Sequence, residues 1–143
     1  KFARIFKIPI LWTEQYPRGL GPTVERVRRE LDGLKPAEKV SFSCFHEPSF
    51  TDRLSKTNRK QIIICGIETH ICVEQTVLDA MKIGYLPHVV TDACASRRER
   101  DHETGLRKMD KAGAVLSCAE MVFYEIMERS DCPEFREVLK LVK

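Results

Sequence analysis

Residues 62–72 read Ile62-Ile63-Ile64-Cys65-Gly66-Ile67-Glu68-Thr69-His70-Ile71-Cys72. The first six of these residues are apolar or small, which is typical of a strand buried inside a parallel sheet. The remaining five lead into an amphipathic helix, which we predict from Ile71 to Ile83, with Gly84 as its C-cap. The strand, turn and helix together predict an α/β fold with Cys72 at the start of a helix.

Cys72 is the first candidate for a reactive group. Open α/β sheets bind their ligands beyond the carboxyl ends of the strands, where this residue is expected. A helix N-terminus carries unpaired N–H donors and a partial positive charge, and both favour the nucleophilic thiolate form of cysteine. Free cysteines are also common packing residues in protein cores. Its immediate neighbours therefore leave Cys72 as either a nucleophile or a structural thiol.

Strands and helices alternate along the rest of the chain, which we expect to form a single domain over residues 1–143. The further predicted strands are 8–13, 40–43, 88–93 and 114–117. The further predicted helices are 24–34, 97–112, 119–128 and 134–142, and residues 14–23 are a predicted loop. For the helix at 24–34, Thr23 is the expected N-cap. This alternation implies parallel strands joined by right-handed crossovers.

The composition of the chain indicates which kinds of molecule it binds and in which cellular compartment it resides. The chain has 24 Lys+Arg against 21 Asp+Glu, and its basic clusters are interleaved with acidic or apolar residues, which disfavours a nucleic-acid groove. No signal peptide is visible, and no apolar stretch approaches the roughly 20 residues of a membrane span. The six cysteines include no Cys-x-x-Cys pair and follow no disulfide framework. We expect a reducing, cytoplasmic location, or a mitochondrial one if a targeting segment precedes residue 1.

Three segments together resemble a known superfamily. They are Lys39-Val40-Ser41-Phe42-Ser43, Gly66-Ile67-Glu68-Thr69-His70-Ile71-Cys72-Val73-Glu74-Gln75-Thr76 and His88-Val89-Val90-Thr91-Asp92-Ala93-Cys94-Ala95-Ser96-Arg97. They resemble the isochorismatase-like cysteine hydrolases, which include nicotinamidases and N-carbamoylsarcosine amidohydrolase. A fourth segment, Thr13-Glu14-Gln15-Tyr16-Pro17-Arg18-Gly19-Leu20-Gly21, resembles the isochorismatase domain-containing branch more narrowly.

The resemblance implies a three-layer α/β/α fold around a doubly wound, six-stranded parallel sheet, whose first strand would precede residue 1. It also implies an Asp-Lys-Cys triad, in which Cys72 is the nucleophile and Lys39 the lysine. The aspartate would lie on that preceding strand, and we assign it no counterpart in this sequence. A cis peptide bond is implied between Ile67 and Glu68, where it would direct the backbone N–H groups of Glu68 and Cys72 toward one oxyanion.

Five further residues are candidates for the pocket. Glu14, Gln15 and Tyr16 follow a predicted strand, so they either line the pocket or belong to a purely structural loop. His70 either forms a wall of the pocket or faces solvent. Arg97 either binds a substrate carboxylate or caps a helix.

We expect neither a metal nor another cofactor. Nicotinamidases carry an Asp-x-His metal-binding cluster, and this spacing does not occur in the chain. Its absence, together with the presence of Cys72, argues against nicotinamidase activity and for amide or imide chemistry without a metal.

The predicted function is hydrolysis of C–N bonds in a small-molecule substrate by a cysteine hydrolase through an acyl-enzyme. The alternatives are a non-catalytic oligomeric scaffold that has kept the pocket and, least supported, a ribonuclease. We expect a homo-oligomer, because an apolar stripe at Phe135, Val138, Leu139 and Val142 marks the last helix. The same stripe would also suit packing inside the core.

Overall fold

A computed structural model describes residues 1–142 of the chain. Its strands are β1 (Thr13–Gln15), β2 (Ala37–Lys39), β3 (Gln61–Ile67), β4 (Leu86–Ala95) and β5 (Val115–Ser117). All the strand pairs are parallel, which confirms the α/β class. The single six-stranded sheet is not found in the described residues: β1 pairs with β2, and β3, β4 and β5 form a separate sheet.

Helices connect and flank these strands. The α-helices are α1 (Phe2–Ile5), α2 (Pro17–Leu20), α3 (Glu25–Arg28), α4 (Pro48–Ser55), α5 (Glu74–Lys82), α6 (Glu99–Ala112), α7 (Ala119–Met127) and α8 (Phe135–Leu139). Two short 3₁₀ turns, Arg29–Leu31 and Cys44–His46, and a π-helical turn, Thr69–Val73, complete the elements. Within residues 1–142, none of the helices combines the length and apolar character needed to span a membrane.

Three apolar clusters hold the elements together. The first packs α5 and α6 on the three-stranded sheet, with Val77, Val89 and Met109 fully buried. The second includes Phe2 of α1, Met127 of α7 and Val138 of α8, and the third packs α4 against β2. Phe135 also contacts the second cluster. The apolar stripe of the last helix therefore contributes to the core through Val138 and Phe135.

The first strand lies later in the chain than its apolar residues predict. Pairing with β2 begins only at Thr13, although the apolar run starts at Ile8. Pro9 has no N–H to donate to a ladder. The side chains of Ile8 and Leu11 pack into the second and third clusters, respectively. Hydrophobicity marked a segment that is half-buried apart from the exposed Pro9, and most of that segment makes no strand pairing.

In place of the single helix predicted over 24–34, the structure has the one-turn helix α3 followed by the 3₁₀ turn Arg29–Leu31. Thr23 is not its N-cap: Val24 occupies that position, and the Thr23 hydroxyl accepts a hydrogen bond from Trp12 Nε1 at 2.8 Å. The extended piece predicted at 40–43 is also wrong, because the strand is Ala37–Lys39. The carbonyl groups of Ser41 and Phe42 turn back to bind the Lys39 side chain.

Candidate active site

The carboxyl ends of strands from both sheets converge on the candidate site. Gln15 and Lys39 end β1 and β2 and are direct register partners, so their side chains leave the small sheet together. Cys72 lies in the turn that follows β3. Parallel strands bring these three residues to the edge where α/β proteins bind ligands.

Lys39 is buried, with only 4% of its surface exposed. Its Nζ donates to Gln15 Oε1 at 2.5 Å and to the carbonyl oxygens of Ser41 and Phe42, each at 2.8 Å. An ammonium group has three hydrogens, so these bonds use all of its donors. The cation is therefore fixed in position and satisfied by neutral oxygens.

The Gln15 amide links the lysine to the cysteine. Its Nε2 donates to the Val40 carbonyl at 2.8 Å, which orients Oε1 toward Lys39. The same Oε1 accepts from Cys72 Sγ at 3.9 Å, a long contact of the kind that sulfur makes. Gln15 was one of several candidates for the pocket rim, but it lies between the two predicted triad residues.

We call residues 68–72 the nucleophile turn. The peptide bond between Ile67 and Glu68, where the resemblance implies a cis bond, is cis. The Glu68 carbonyl accepts from the N–H groups of Ile71 (3.1 Å) and Val73 (3.2 Å), which closes the turn as it enters α5. Cys72 is half-buried within it.

One hydrogen bond ties α5 to the segment that follows Lys39. Thr76 Oγ1 accepts from the backbone N–H of Cys44 at 3.0 Å. Thr76 is buried one turn after Cys72. This bond fixes the lysine-bearing segment relative to the cysteine-bearing helix, although the two belong to different sheets.

Arg97 and His70 are both engaged with neighbouring residues. The Arg97 guanidinium forms an ion pair with Glu68, with Nη2 at 2.8 Å from Oε2. The hydrogen bond from the Arg97 side chain is the main reason that the pKa of Glu68 falls from its ordinary 4.5 to about 2. His70 Nδ1 lies 2.9 Å from Ser96 Oγ. Both side chains thus connect the nucleophile turn to the start of α6.

Glu14 and Tyr16 shape the loop after β1. Glu14 is buried, and its Oε1 accepts from the Thr23 N–H at 2.7 Å, which closes the loop between them. Tyr16 is half exposed and has a positive φ of 40°. A Cβ on Gly19 would lie 2.2 Å from the Tyr16 ring, so glycine is required beneath it. Glu14 therefore has a structural role, and Tyr16 is the exposed member of the trio.

A shallow groove of about 240 Å³ lies between the nucleophile turn and α6. Its lining residues are His70, Glu74, Asp101, Thr104, Gly105 and Lys108. Neither Lys39 nor Cys72 lines it, and the Glu74 carboxylate is already paired with Lys108 at 2.6 Å. Within residues 1–142, no three His, Cys, Asp or Glu side chains are grouped as a metal site requires.

Sequence reasoning did not identify several contacts that build the site. The carbonyl ligands of Lys39 depend on how the backbone bends after β2, which side-chain patterns do not reveal. Ser96 and Thr76 are unremarkable in sequence, and their partners are far along the chain. The pattern Lys39-Val40-Ser41-Phe42-Ser43 was the one available signal, and through the resemblance it pointed to the lysine but not to its carbonyl partners.

Comparisons with known proteins identify the family of the chain. The sequence-family model of the isochorismatase domain matches residues 1–121 of the chain. Human isochorismatase domain-containing protein 2 is 39% identical over 144 aligned residues, covering all of this chain and 68% of that protein. The structure of MAR1 ribonuclease from Caenorhabditis elegans is 40% identical, with a TM-score of 0.91 over 99% of this chain and 72% of that one.

A more distant structure shares the fold. The ycaC gene product of Escherichia coli, described as an octameric hydrolase of unknown specificity, is 23% identical with a TM-score of 0.85. The alignment covers 99% of this chain and 76% of that one. The domain match and the identity to the human protein lead to one conclusion: this chain belongs to the isochorismatase domain family.

Proposed function

We propose that this protein is a cysteine hydrolase that cleaves a C–N bond in a small amide or imide, with Cys72 as the nucleophile. The observation that carries the proposal is the meeting of Lys39 Nζ and Cys72 Sγ at Gln15 Oε1. Lys39 is only 4% exposed, and its Nζ shares the Gln15 oxygen with the Cys72 thiol. A structural cysteine has no need of a fixed cation brought from another sheet.

The reaction would run through an acyl-enzyme. The Cys72 thiolate attacks the carbonyl carbon, and the backbone N–H groups of Glu68 and Cys72 donate to the oxyanion. The C–N bond then breaks as the leaving nitrogen takes up the proton that the thiol gave to a general base. Water then attacks the thioester carbonyl and the S–C bond breaks. The carboxylic acid is released as product, and the Cys72 thiol is regenerated.

The general base has to come from outside the contacts described above. Within residues 1–142, no carboxylate forms a hydrogen bond with Lys39 Nζ or Cys72 Sγ. The resemblance implies an aspartate on a strand before residue 1. In the described residues, β1 and β3 each have one edge without a strand partner. A further strand could pair with either edge, which supports this proposal.

Selective alkylation tests the nucleophile without knowledge of the substrate. Near neutral pH, iodoacetamide should modify Cys72 before the other five cysteines, as followed by peptide mass spectrometry. Cys94 is a poor competitor, because burial raises its pKa to about 11. Desolvation also raises the pKa of the Cys65 thiol, although part of that residue is exposed. Equal labelling of all six cysteines would contradict the proposal.

A substrate screen tests the reaction itself. The protein expressed from its complete coding sequence should hydrolyse members of an amide and imide panel, and Cys72→Ser should lose that activity. Ser is the most conservative replacement, since its hydroxyl is similar in size to the thiol but is a much weaker nucleophile at neutral pH. Hydrolysis that survives Cys72→Ser would reject the mechanism, and a protein inactive toward the whole panel would favour the scaffold alternative.

The ribonuclease alternative rests on the name of the Caenorhabditis elegans relative. The charge next to the nucleophile turn argues against it here, because the Arg97 guanidinium is already paired with Glu68. Cleavage of single-stranded RNA by both the wild type and Cys72→Ser would favour this alternative. RNA binding that falls steeply with added salt would support it further.

We also propose that the protein forms a homo-oligomer. Four apolar residues close in sequence to Gln15, Lys39 and Glu68 are more than half exposed: Leu20 at the end of α2, Val40 and Phe42 after β2, and Ile67 at the end of β3. Exposed apolar groups of this kind are often covered in an assembly. Sedimentation equilibrium should give a mass that is a multiple of the single chain, and a monomer at micromolar concentration would contradict this.

A further inference from the structure

Three consecutive residues of the nucleophile turn are each held by one neighbouring segment. Glu68 binds Arg97, Thr69 Oγ1 lies 2.8 Å from His102 Nδ1, and His70 Nδ1 lies 2.9 Å from Ser96 Oγ. The partners span residues 96–102, which lead from β4 into α6, and we call them the α6 entry segment. The turn is thus attached at successive side chains to an element that makes none of the hydrogen bonds joining Gln15 to Lys39 and Cys72.

The contact between Glu68 and Arg97 has the most directional geometry of the three. Glu68 Oε1 accepts from both the backbone N–H and Nε of Arg97, each at 3.0 Å, and Oε2 accepts from Nη2 at 2.8 Å. Such a fork fixes orientation as well as distance. The Arg97 side chain is 69% exposed, so the pair adds little to global stability. Its geometry has a local effect, which is to hold the residue whose N–H faces the oxyanion in the proposed mechanism.

The other two contacts hold the turn from the same direction. Thr69 is fully buried, so its hydroxyl needs a partner, and His102 supplies one. Close packing reinforces this, because a Cβ on Gly105 would lie 3.0 Å from His70 Cα. The turn therefore rests against α6 with its backbone as well as its side chains.

We propose that Arg97 is a positioning residue, which acts through Glu68 to hold the oxyanion-binding backbone of the nucleophile turn. The inference deepens the proposed function and rests on it for its catalytic consequence. Arg97 does not reserve its charge for a substrate carboxylate, because both nitrogens of its fork already bind Glu68. The hydrogen bonds of Arg97 do not reach Cys72 Sγ, which bonds to Gln15 Oε1.

Deuterium exchange tests the positioning role without a substrate. In Arg97→Gln, the amides of residues 68–72 should exchange at least about tenfold faster than in the wild type, as expected when a local opening becomes easier. Arg100→Gln is the matched control, since Arg100 is an exposed arginine at the start of the same helix. Unchanged exchange in Arg97→Gln, or the same increase in both variants, would overturn the proposal.

Kinetics on an amide substrate found in the screen then separate positioning from binding. Arg97→Gln should lower kcat by about 10- to 100-fold with KM nearly unchanged, since a misaligned oxyanion donor acts on the transition state. Arg97→Lys should restore little, because an ammonium cannot reproduce the fork. A raised KM with unchanged kcat would overturn the proposal in favour of substrate binding.

The rate of Cys72 alkylation should stay within about twofold of the wild type in Arg97→Gln, because Lys39 and Gln15 are untouched. A large fall in that rate would overturn the proposal by tying Arg97 to the thiol. Activity retained by Cys72→Ser would instead reject the proposed function, and the exchange result for Arg97 would still stand.

Discussion

Gly105→Ala is the substitution that most directly tests how α6 supports the nucleophile turn. The new Cβ would lie 3.0 Å from His70 Cα, 3.2 Å from its backbone N and 3.3 Å from its Cβ. Carbon atoms normally approach to about 3.5–4.0 Å, so α6 or the turn must move by about half an ångström. Two of the three contacts are with backbone atoms, so no side-chain rotation can relieve them.

Two opposing effects set the magnitude. Replacing glycine by alanine inside a helix stabilises the helix by about 1 kcal/mol. Overpacking a tight contact costs about 1–3 kcal/mol. Because the clash is with backbone, we expect overpacking to dominate, with a net loss of about 1 kcal/mol in the free energy of unfolding. In urea denaturation this loss would lower the midpoint by roughly 0.5 M.

Thr104→Ala is the matched control for helix propensity. Thr104 is exposed on the same helix, one residue before Gly105, so alanine there changes propensity without a clash. Its stability should stay within about 0.5 kcal/mol of the wild type. If Gly105→Ala is more stable than the wild type, the close approach of α6 to His70 is not what holds the turn, and the reasoning is refuted.

Three further substitutions test other parts of the structure. Lys39→Met should lower the free energy of unfolding by about 2–4 kcal/mol in urea denaturation, because three oxygens lose their charged donor; unchanged stability would contradict the buried bonding of Lys39. The pair with Arg97 lowers the pKa of Glu68 from an ordinary 4.5 to about 2, so the small stability advantage of the wild type over Glu68→Gln should be fully present above pH 4.5 and decline as the pH falls toward 2. Denaturation curves between pH 2.5 and 7 measure this difference in stability. A difference that does not change with pH would argue against the ion pair between Glu68 and Arg97. Val138→Ala should cost roughly 2 kcal/mol without changing the sedimentation mass, since Val138 is fully buried within the chain; an altered mass at unchanged stability would place it at a subunit contact instead.

The sequence predicted the bounds of the central α/β unit well. The expected burial of its first strand was wrong, because no residue of β3 is buried and Ile63, Cys65 and Ile67 are exposed. The apolar run before Cys72, the helix after it and the long helix ended by Gly113 all appear close to their predicted bounds. Glycine at the helix end has a positive φ of 100°, which is a local property that sequence reports directly. Local signals of this kind do not depend on the rest of the fold.

The errors arose where long-range contacts override local pattern. Ile8 to Trp12 looked like a strand, but its side chains are distributed between two clusters and only the following residues pair. Thr23 looked like a helix cap, but the Trp12 side chain and the Glu14 carboxylate bind it instead. Neither partner can be inferred from the residues that surround Thr23 in sequence.

The same division applies to the site. Lys39 and Cys72 were predicted from a resemblance, and the structure brings them to one oxygen atom. The contacts between the nucleophile turn and the α6 entry segment join residues that are 26 to 33 positions apart. Nothing in composition or spacing predicts such pairs, because they follow from how α6 packs on the sheet.

The Gln15 side chain has a consequence for ligand affinity. It is itself a primary carboxamide, and its oxygen already lies between the ammonium of Lys39 and the thiol of Cys72. In the proposed reaction, a substrate amide that takes up this location would first have to displace a group with the same hydrogen-bonding chemistry. The affinity of such an amide would therefore reflect the exchange of its hydrogen bonds for those of Gln15. We expect the tightest ligands to make additional contacts that the Gln15 carboxamide does not make.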